Sequence, residues 1–422
     1  MNQPAPAPTD DATTRLIHHR YVPPPGFAAP LPGVFKASTV LFPNVAAMRS
    51  RDWKHKTGYT YGLHGTPTTF LLEERLCELE GGLHCVLSPS GLAAIANVSL
   101  SLLRTGDEVL IPDNAYGPNK ALAEGELAAW GITHRLYDAT RPEDLAEKIS
   151  PVTRLVWLEA PGSVTMEFPD LHALIDICRQ RRVTCALDNT WGAGLAFDPF
   201  DLDGDGSRRV GVDLSVQALT KYPSGGGDVL MGSVITRDES LHLKIKLTHM
   251  RLGLGVGAND CETILRSLPS IALRYRAHDW AARALALWCQ RQPAISQVLH
   301  PALAGSPGHA HWQRTCGRDT GGATADNPDT LSGAAAGLFS IIIDKRYSSE
   351  QVDAFCDALR LFKLGYSWGG PISLVVPYDL AAMRPGWPAA VQHGTLVRFS
   401  VGLESVADLQ ADLAQALARA LV

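Results

Sequence analysis

A chain of 422 residues, 45% hydrophobic and 19% charged, is long enough to bury more than one core, and its length favours a large domain plus a smaller one. A formal net charge of −5 with no block of like charge leaves no electrostatic footprint for nucleic acid or anionic lipid, and no apolar run is long enough to cross a bilayer. Neither nucleic acid nor membrane is therefore an expected partner, and an N-terminus without the basic and apolar regions of a signal peptide reads as cytoplasmic, with eight scattered cysteines as buried free thiols.

Residues 1–65 are rich in proline, as in YVPPPG (21–26) and APLPG (29–33), and show little periodicity; such an arm is expected to wrap a neighbour rather than build a core. At Thr66 the pattern changes. Thr66 is placed to cap a helix with Pro67 at its first position, Phe70, Leu72, Leu76 and Leu79 keep roughly helical spacing, and Gly81 and Gly82 end it. Short apolar runs then alternate with helix-length stretches: CVLS (85–88), EVLIP (108–112), RLVWLE (154–159), VTCALD (183–188) and DLSVQA (213–218). Runs this apolar predict βα units and an α/β fold with a mostly parallel sheet covered on both faces, whose ligands belong at the strands' carboxyl ends. After about residue 267, the helical pattern LALWCQRQPAI (285–295) and the strand-like LFSIIID (338–344) predict a smaller α+β domain. The expected organisation is an arm (1–65), a large domain (66–267) and a C-terminal domain (268–422), with Cys316–Gly337 as a mobile surface insertion.

Three features carry chemistry. Lys221 follows a strand pattern in SVQALTKYPSGGGD (215–228), among apolar and small residues where desolvation lowers an amine's pKa and makes it nucleophilic toward a carbonyl. Asp188, in CALDNTWGAG (185–194), ends an apolar strand; it is either a cap for the following loop or the partner of a pyridinium N–H. In SPSGLAAI (88–95) a strand meets a helix through Ser90 and Gly91, a start whose free N–H groups suit a phosphate, although many such turns bind nothing. GLGVGA (253–258) follows a helix-like stretch rather than a strand and reads as a connection. DLDGDG (201–206) lacks the carboxylate that closes a calcium loop and reads as a solvated turn, and His18 and His19 lack further ligands, so no metal site is expected.

The motifs YGLHGTPTT (61–69), CELEGG (77–82), DNAYGP (113–118), LEAPGSVTME (158–167), LDNTWGAG (187–194), ALTKY (218–222), YSWGG (366–370) and TLVRFSVGLE (395–404) together resemble the Cys/Met-metabolism branch of the fold type I pyridoxal-phosphate enzymes. PGSVTME combined with YSWGG is similar to its β-lyases rather than its γ-acting relatives. The resemblance implies a PLP-dependent transferase-like fold with a mostly parallel seven-stranded sheet and a smaller α+β C-terminal domain. It implies pyridoxal 5′-phosphate on Lys221, with Asp188 at the ring nitrogen, Tyr116 stacked on the ring, and Gly91, Leu92 and Thr220 at the phosphate. Arg398 would clamp the substrate α-carboxylate, and Ser367 and Trp368 would shape the substrate side. Tyr61 would reach an adjacent subunit's cofactor and substrate, so a homo-oligomer, by resemblance a tetramer, would share its active sites. Where the family has an arginine two residues after that tyrosine this chain has Leu63; either His64 substitutes at the phosphate, or the contact is missing and His64 is a loop histidine facing solvent. The implied reaction is β-elimination from a sulfur amino acid of the cystathionine type. The alternatives are a γ-acting relative, a catalytically weak cofactor-binding regulator, and a nucleotide-binding α/β protein.

Overall fold

A computed structural model describes residues 12–18, 25–27, 29–317 and 333–421. The first helix of the large domain runs Pro67–Glu80, with Thr66 as its cap, Thr69 completing a capping box and Gly81 in the left-handed region at φ 75°. Seven strands then build one sheet: β1 (His84–Ser88), β2 (Glu108–Pro112), β3 (Thr133–Tyr137), β4 (Thr153–Glu159), β5 (Thr184–Asp188), β6 (Leu214–Ala218) and β7 (Gly232–Thr236), in the order β1-β7-β6-β5-β4-β2-β3. Only β7 runs against its neighbours, β1 and β6. The near-continuous apolar runs reflect burial on both faces. Along β4, Leu155 and Trp157 pack with Ala94, Ile95 and Val98 of the helix Gly91–Leu102, while Val156 and Leu158 join the core on the opposite side.

A second sheet contains β8 (Ile295–Leu299), β9 (Leu338–Asp344), β10 (Lys363–Leu364), β11 (Leu374–Tyr378) and β12 (Gly394–Ser400), in the order β10-β11-β12-β9-β8 and antiparallel except for β10 with β11. Ile341, Ile343, Val397 and Phe399 pack there against the helices Ile271–Cys289, Ser349–Ala358 and Val406–Ala420. Register pairs Arg398 on β12 with Val376 on β11 and Ser340 on β9, so Arg398 rises from the middle of this sheet.

Two expectations change. The helical pattern over 285–295 breaks at Cys289; Gln290–Ala294 form a turn and Ile295 opens β8, because Pro293 cannot donate to a helix and disfavours the helical region at the residue before it. The insertion assigned to Cys316–Gly337 lies partly outside the described residues, but its two ends are not surface. Cys316 ends a helix in the core, and Ala335 and Ala336 are fully buried, with the Ala335 amide donating to Asp279 at 2.8 Å.

Candidate active site

The carboxyl ends of β4, β5 and β6 bring the first groups together. Register sets Asp188 beside Glu159 at the end of β4 and beside Val216 on β6. Past Ala218 the chain turns, with the Lys221 amide donating to the Ala218 carbonyl at 3.1 Å, and the lysine leaves the sheet edge. Its Nζ donates to Ser367 Oγ at 2.9 Å and stands 5.4 Å from the Trp368 ring centroid. Burial, reinforced by the nearby charge of Arg398, pushes the Lys221 amine down to about 8, against the opposing pull of Asp188. The YSWGG motif acquires a physical reason. Gly369 has φ 79°, and a Cβ there would approach the Tyr222 amide nitrogen to 3.0 Å and Lys221 Cα to 3.3 Å, so only glycine lets this loop lie on the lysine's backbone.

Asp188 plays the capping part foreseen for it, and the pyridinium part stays an expectation. One oxygen accepts from the amide of Thr190 at 3.0 Å and from its hydroxyl at 2.6 Å, which is a cap. The Thr190 hydroxyl oxygen in turn accepts from the Ala218 amide at 2.9 Å, tying β5 to β6 just before Lys221. The other carboxylate oxygen remains available, and burial raises the carboxyl from its ordinary value against the pull of Thr190 and Lys221. At the sheet edge below, a Cβ on Gly91 would come within 2.6 Å of Ala218 Cβ, so glycine allows the helix Gly91–Leu102 to start against β6. Ser90 caps that helix by accepting from the Ala93 amide at 3.0 Å, which leaves the amides of Gly91 and Leu92 unpaired within the helix. Thr220 is the weaker match, since its hydroxyl bridges the amide and carbonyl of Met231 at 3.3 and 3.4 Å.

Tyr116 precedes the helix Gly117–Leu122, 40% exposed, with its amide donating at 2.7 Å to the half-buried Glu159 carboxylate. Arg398 is only 5% exposed. It donates to the Tyr366 carbonyl at 3.1 Å and lies 5.3 Å from the Tyr378 ring centroid, with no carboxylate partner among the described residues. A buried guanidinium without an anion is costly, and a substrate carboxylate would relieve it. Tyr61 and His64 stand elsewhere in the protomer. Tyr61 bridges to Thr39, His64 Nδ1 pairs with Thr60 Oγ1 at 2.8 Å, and their contacts do not include Lys221, Asp188 or Tyr116. Thr190, Glu159 and Tyr378 were not singled out from sequence. Thr190 and Glu159 lie inside the quoted motifs, but Thr190's partner Ala218 is on another strand and Glu159's partner Tyr116 in a turn after β2.

A nucleophilic amine, a carboxylate deep at a strand end, two free helix-start amides and an unpaired guanidinium suit a phosphorylated aldehyde cofactor and an amino acid, which defines a Schiff-base enzyme of α/β fold. A sequence model of the Cys/Met metabolism PLP-dependent enzymes matches residues 13–418, and the chain belongs to that family. It is 38% identical to the cystathionine beta-lyase of Bordetella avium over 93% of each chain. It is 35% identical to the cystathionine beta-lyase of Salmonella typhimurium, covering 91% of this chain and 92% of that one. The crystal structure of metB from Corynebacterium glutamicum superposes with a TM-score of 0.82 at 25% identity, over 97% of this chain and 98% of the other. The cofactor is pyridoxal 5′-phosphate, and the enzyme is a carbon–sulfur lyase of this PLP-dependent family.

Proposed function

We propose that the chain cleaves the Cβ–S bond of cystathionine, with water, to homocysteine, pyruvate and ammonia. The relatives named cystathionine beta-lyase over most of the chain support this, and the observation that carries the site assignment is the Lys221 amine held by Ser367 near the unpaired Arg398 guanidinium. Pyridoxal phosphate supplies an electron sink for the charge that develops at the substrate α-carbon. Lys221 would hold the cofactor through Nζ, and an amine pushed down to about 8 is suited to taking the substrate's α-proton. Asp188 would face the ring nitrogen and favour its protonated form, in the rotamer that Thr190 fixes. Arg398 binds the α-carboxylate through its fork, Ser367 steers Nζ, and Trp368 bounds the substrate side.

Tyr116 would lie against the ring, and the amides of Gly91 and Leu92 with Thr220 would hold the phosphate. The protein works in the cytoplasm as a homo-oligomer, a tetramer by resemblance, in which Tyr61 and His64 serve a neighbour's site. The exposed apolar side chains of the 1–65 arm support this: Phe27, Leu31, Phe35, Leu41, Val45 and Tyr61 are all more than 40% exposed. Among the described residues no helix is long and apolar enough to cross a membrane. The test of the reaction is product analysis on cystathionine. Pyruvate with homocysteine is the expected result, and 2-oxobutyrate with cysteine would assign the chain to γ-elimination instead.

A further inference from the structure

Three loops far apart in sequence meet behind Tyr116. Arg384, in the loop after β11, donates to Asp113 Oδ2 at 2.9 Å and to Glu167 Oε2 at 2.8 Å. Lys120 Nζ, from the helix after Tyr116, donates to the Asp113 carbonyl at 2.8 Å and to the Met383 carbonyl at 2.7 Å. Glu167 also accepts from Asn114 Nδ2 at 3.0 Å and from Thr165 Oγ1 at 2.9 Å. Arg384 is 9% exposed, Lys120 8%, Asn114 6% and Glu167 2%. Two cations and two carboxylates are thus withdrawn from water at one point, and an apolar cluster of similar volume would stabilise the fold at least as well.

Such a cluster fixes distance and angle, which apolar contact does not. Asp113 and Asn114 lead directly into Tyr116, whose own amide is tied to Glu159. Arg384 lies six residues after Tyr378, the ring that flanks Arg398. We infer that Arg384, with Lys120, is a positioning residue: it staples the loop that follows the substrate-carboxylate sheet onto the turn that carries Tyr116, and so sets the angle of the Tyr116 ring. This rests on the reading of Tyr116 as the residue stacked on the cofactor.

The test is a double-mutant cycle on holoenzyme of verified oligomeric state, using wild type, Arg384→Met, Tyr116→Ala and the double variant. Pyridoxal phosphate affinity is measured by titration after dialysis, alongside kcat and KM. Arg384→Met is expected to weaken cofactor affinity and lower kcat by about tenfold in the wild-type background, but by less than about twofold when Tyr116 is already alanine. Arg384→Lys, which keeps the charge and loses the fork, should recover part of the loss. Equal losses in both backgrounds, or no loss from Arg384→Met, overturn the proposal. Should Arg384→Met fail to fold, Lys120→Met takes its place in the same cycle, and insolubility of both overturns the proposal by making the junction a folding requirement. A Tyr116→Ala variant that keeps full affinity and turnover refutes the stacking role itself, a failure of the functional reading that removes the inference with it.

Discussion

Burial treats the two cations of the site differently. Lys221 is pushed down to about 8 and becomes a usable base near neutrality, whereas an arginine starts so high that burial leaves Arg398 charged. On the proposed function, the lysine therefore handles protons and the arginine a carboxylate. Arg398→Ala should raise KM for every amino acid substrate and cut kcat/KM by roughly 100-fold, the scale of truncating one partner of a buried charge pair. Steady-state kinetics on several substrates checks this, and a selective effect on one side chain would contradict it. At this scale much was legible in sequence. Lys221, Asp188 and Gly91 stand at the ends of recognisable apolar strands or helix starts. Thr190, Glu159 and Tyr378 were hidden because their contacts run to Ala218, to the Tyr116 amide and to Arg398, all on other elements.

The elements that carry the site are themselves held by a buried acid. Glu80, in the last turn of the helix Pro67–Glu80, accepts from Asn189 Nδ2 at 3.2 Å and from the Ser215 hydroxyl, so it joins the residue after β5 to the first half of β6. Burial, with a smaller contribution from Asp198, raises its carboxyl from an ordinary 4.5 to about 7. A raised folded-state pKa means that the native state holds the extra proton between those values. The stabilisation is complete below about 4.5 and is lost as pH rises through about 7. Glu80→Gln removes the charge and keeps the shape, and its amide can donate to Asn189 Oδ1 or Gln217 Oε1, both buried without partners. Its melting temperature relative to wild type should therefore climb from about pH 5.5 to about pH 8, and a pH-independent difference would contradict the assignment.

The same scale explains the partial legibility of the fold. Most strands buried on both faces announced themselves, but β7, short and buried throughout, was not picked out, and β3, with its exposed residues alternating with better-covered ones, carries no apolar run. LALWCQRQPAI kept its apolar spacing across a helix end, a turn and the first residue of β8, so periodicity alone did not reveal the break.

For the whole molecule, the separation of Tyr61 and His64 from the protomer's own site residues fits an active site completed by a second subunit. Burial and the nearby charges of Lys246, His249 and Arg51 hold the pKa of His64 below its ordinary value, which favours a neutral imidazole over a cation. His64→Ala should then weaken cofactor retention only several-fold, the ~1 kcal/mol scale of a neutral hydrogen bond, while Leu63→Arg should strengthen it through a charge-assisted contact. Cofactor dissociation constants on protein of verified oligomeric state decide the matter, and unchanged affinity in His64→Ala would remove His64 from the site. The motifs made the fold readable across the chain's length, but a contact between subunits leaves no periodicity in sequence, which is why the arm's role rests on exposure and resemblance.

The central claim, that Lys221 carries the cofactor, is tested most directly by borohydride reduction of the purified protein followed by peptide mapping. Reduction should fix the pyridoxyl group on the peptide containing Leu219-Thr220-Lys221-Tyr222, with no labelling in Lys221→Ala. Stoichiometric labelling of any other lysine in the wild-type protein would contradict the account.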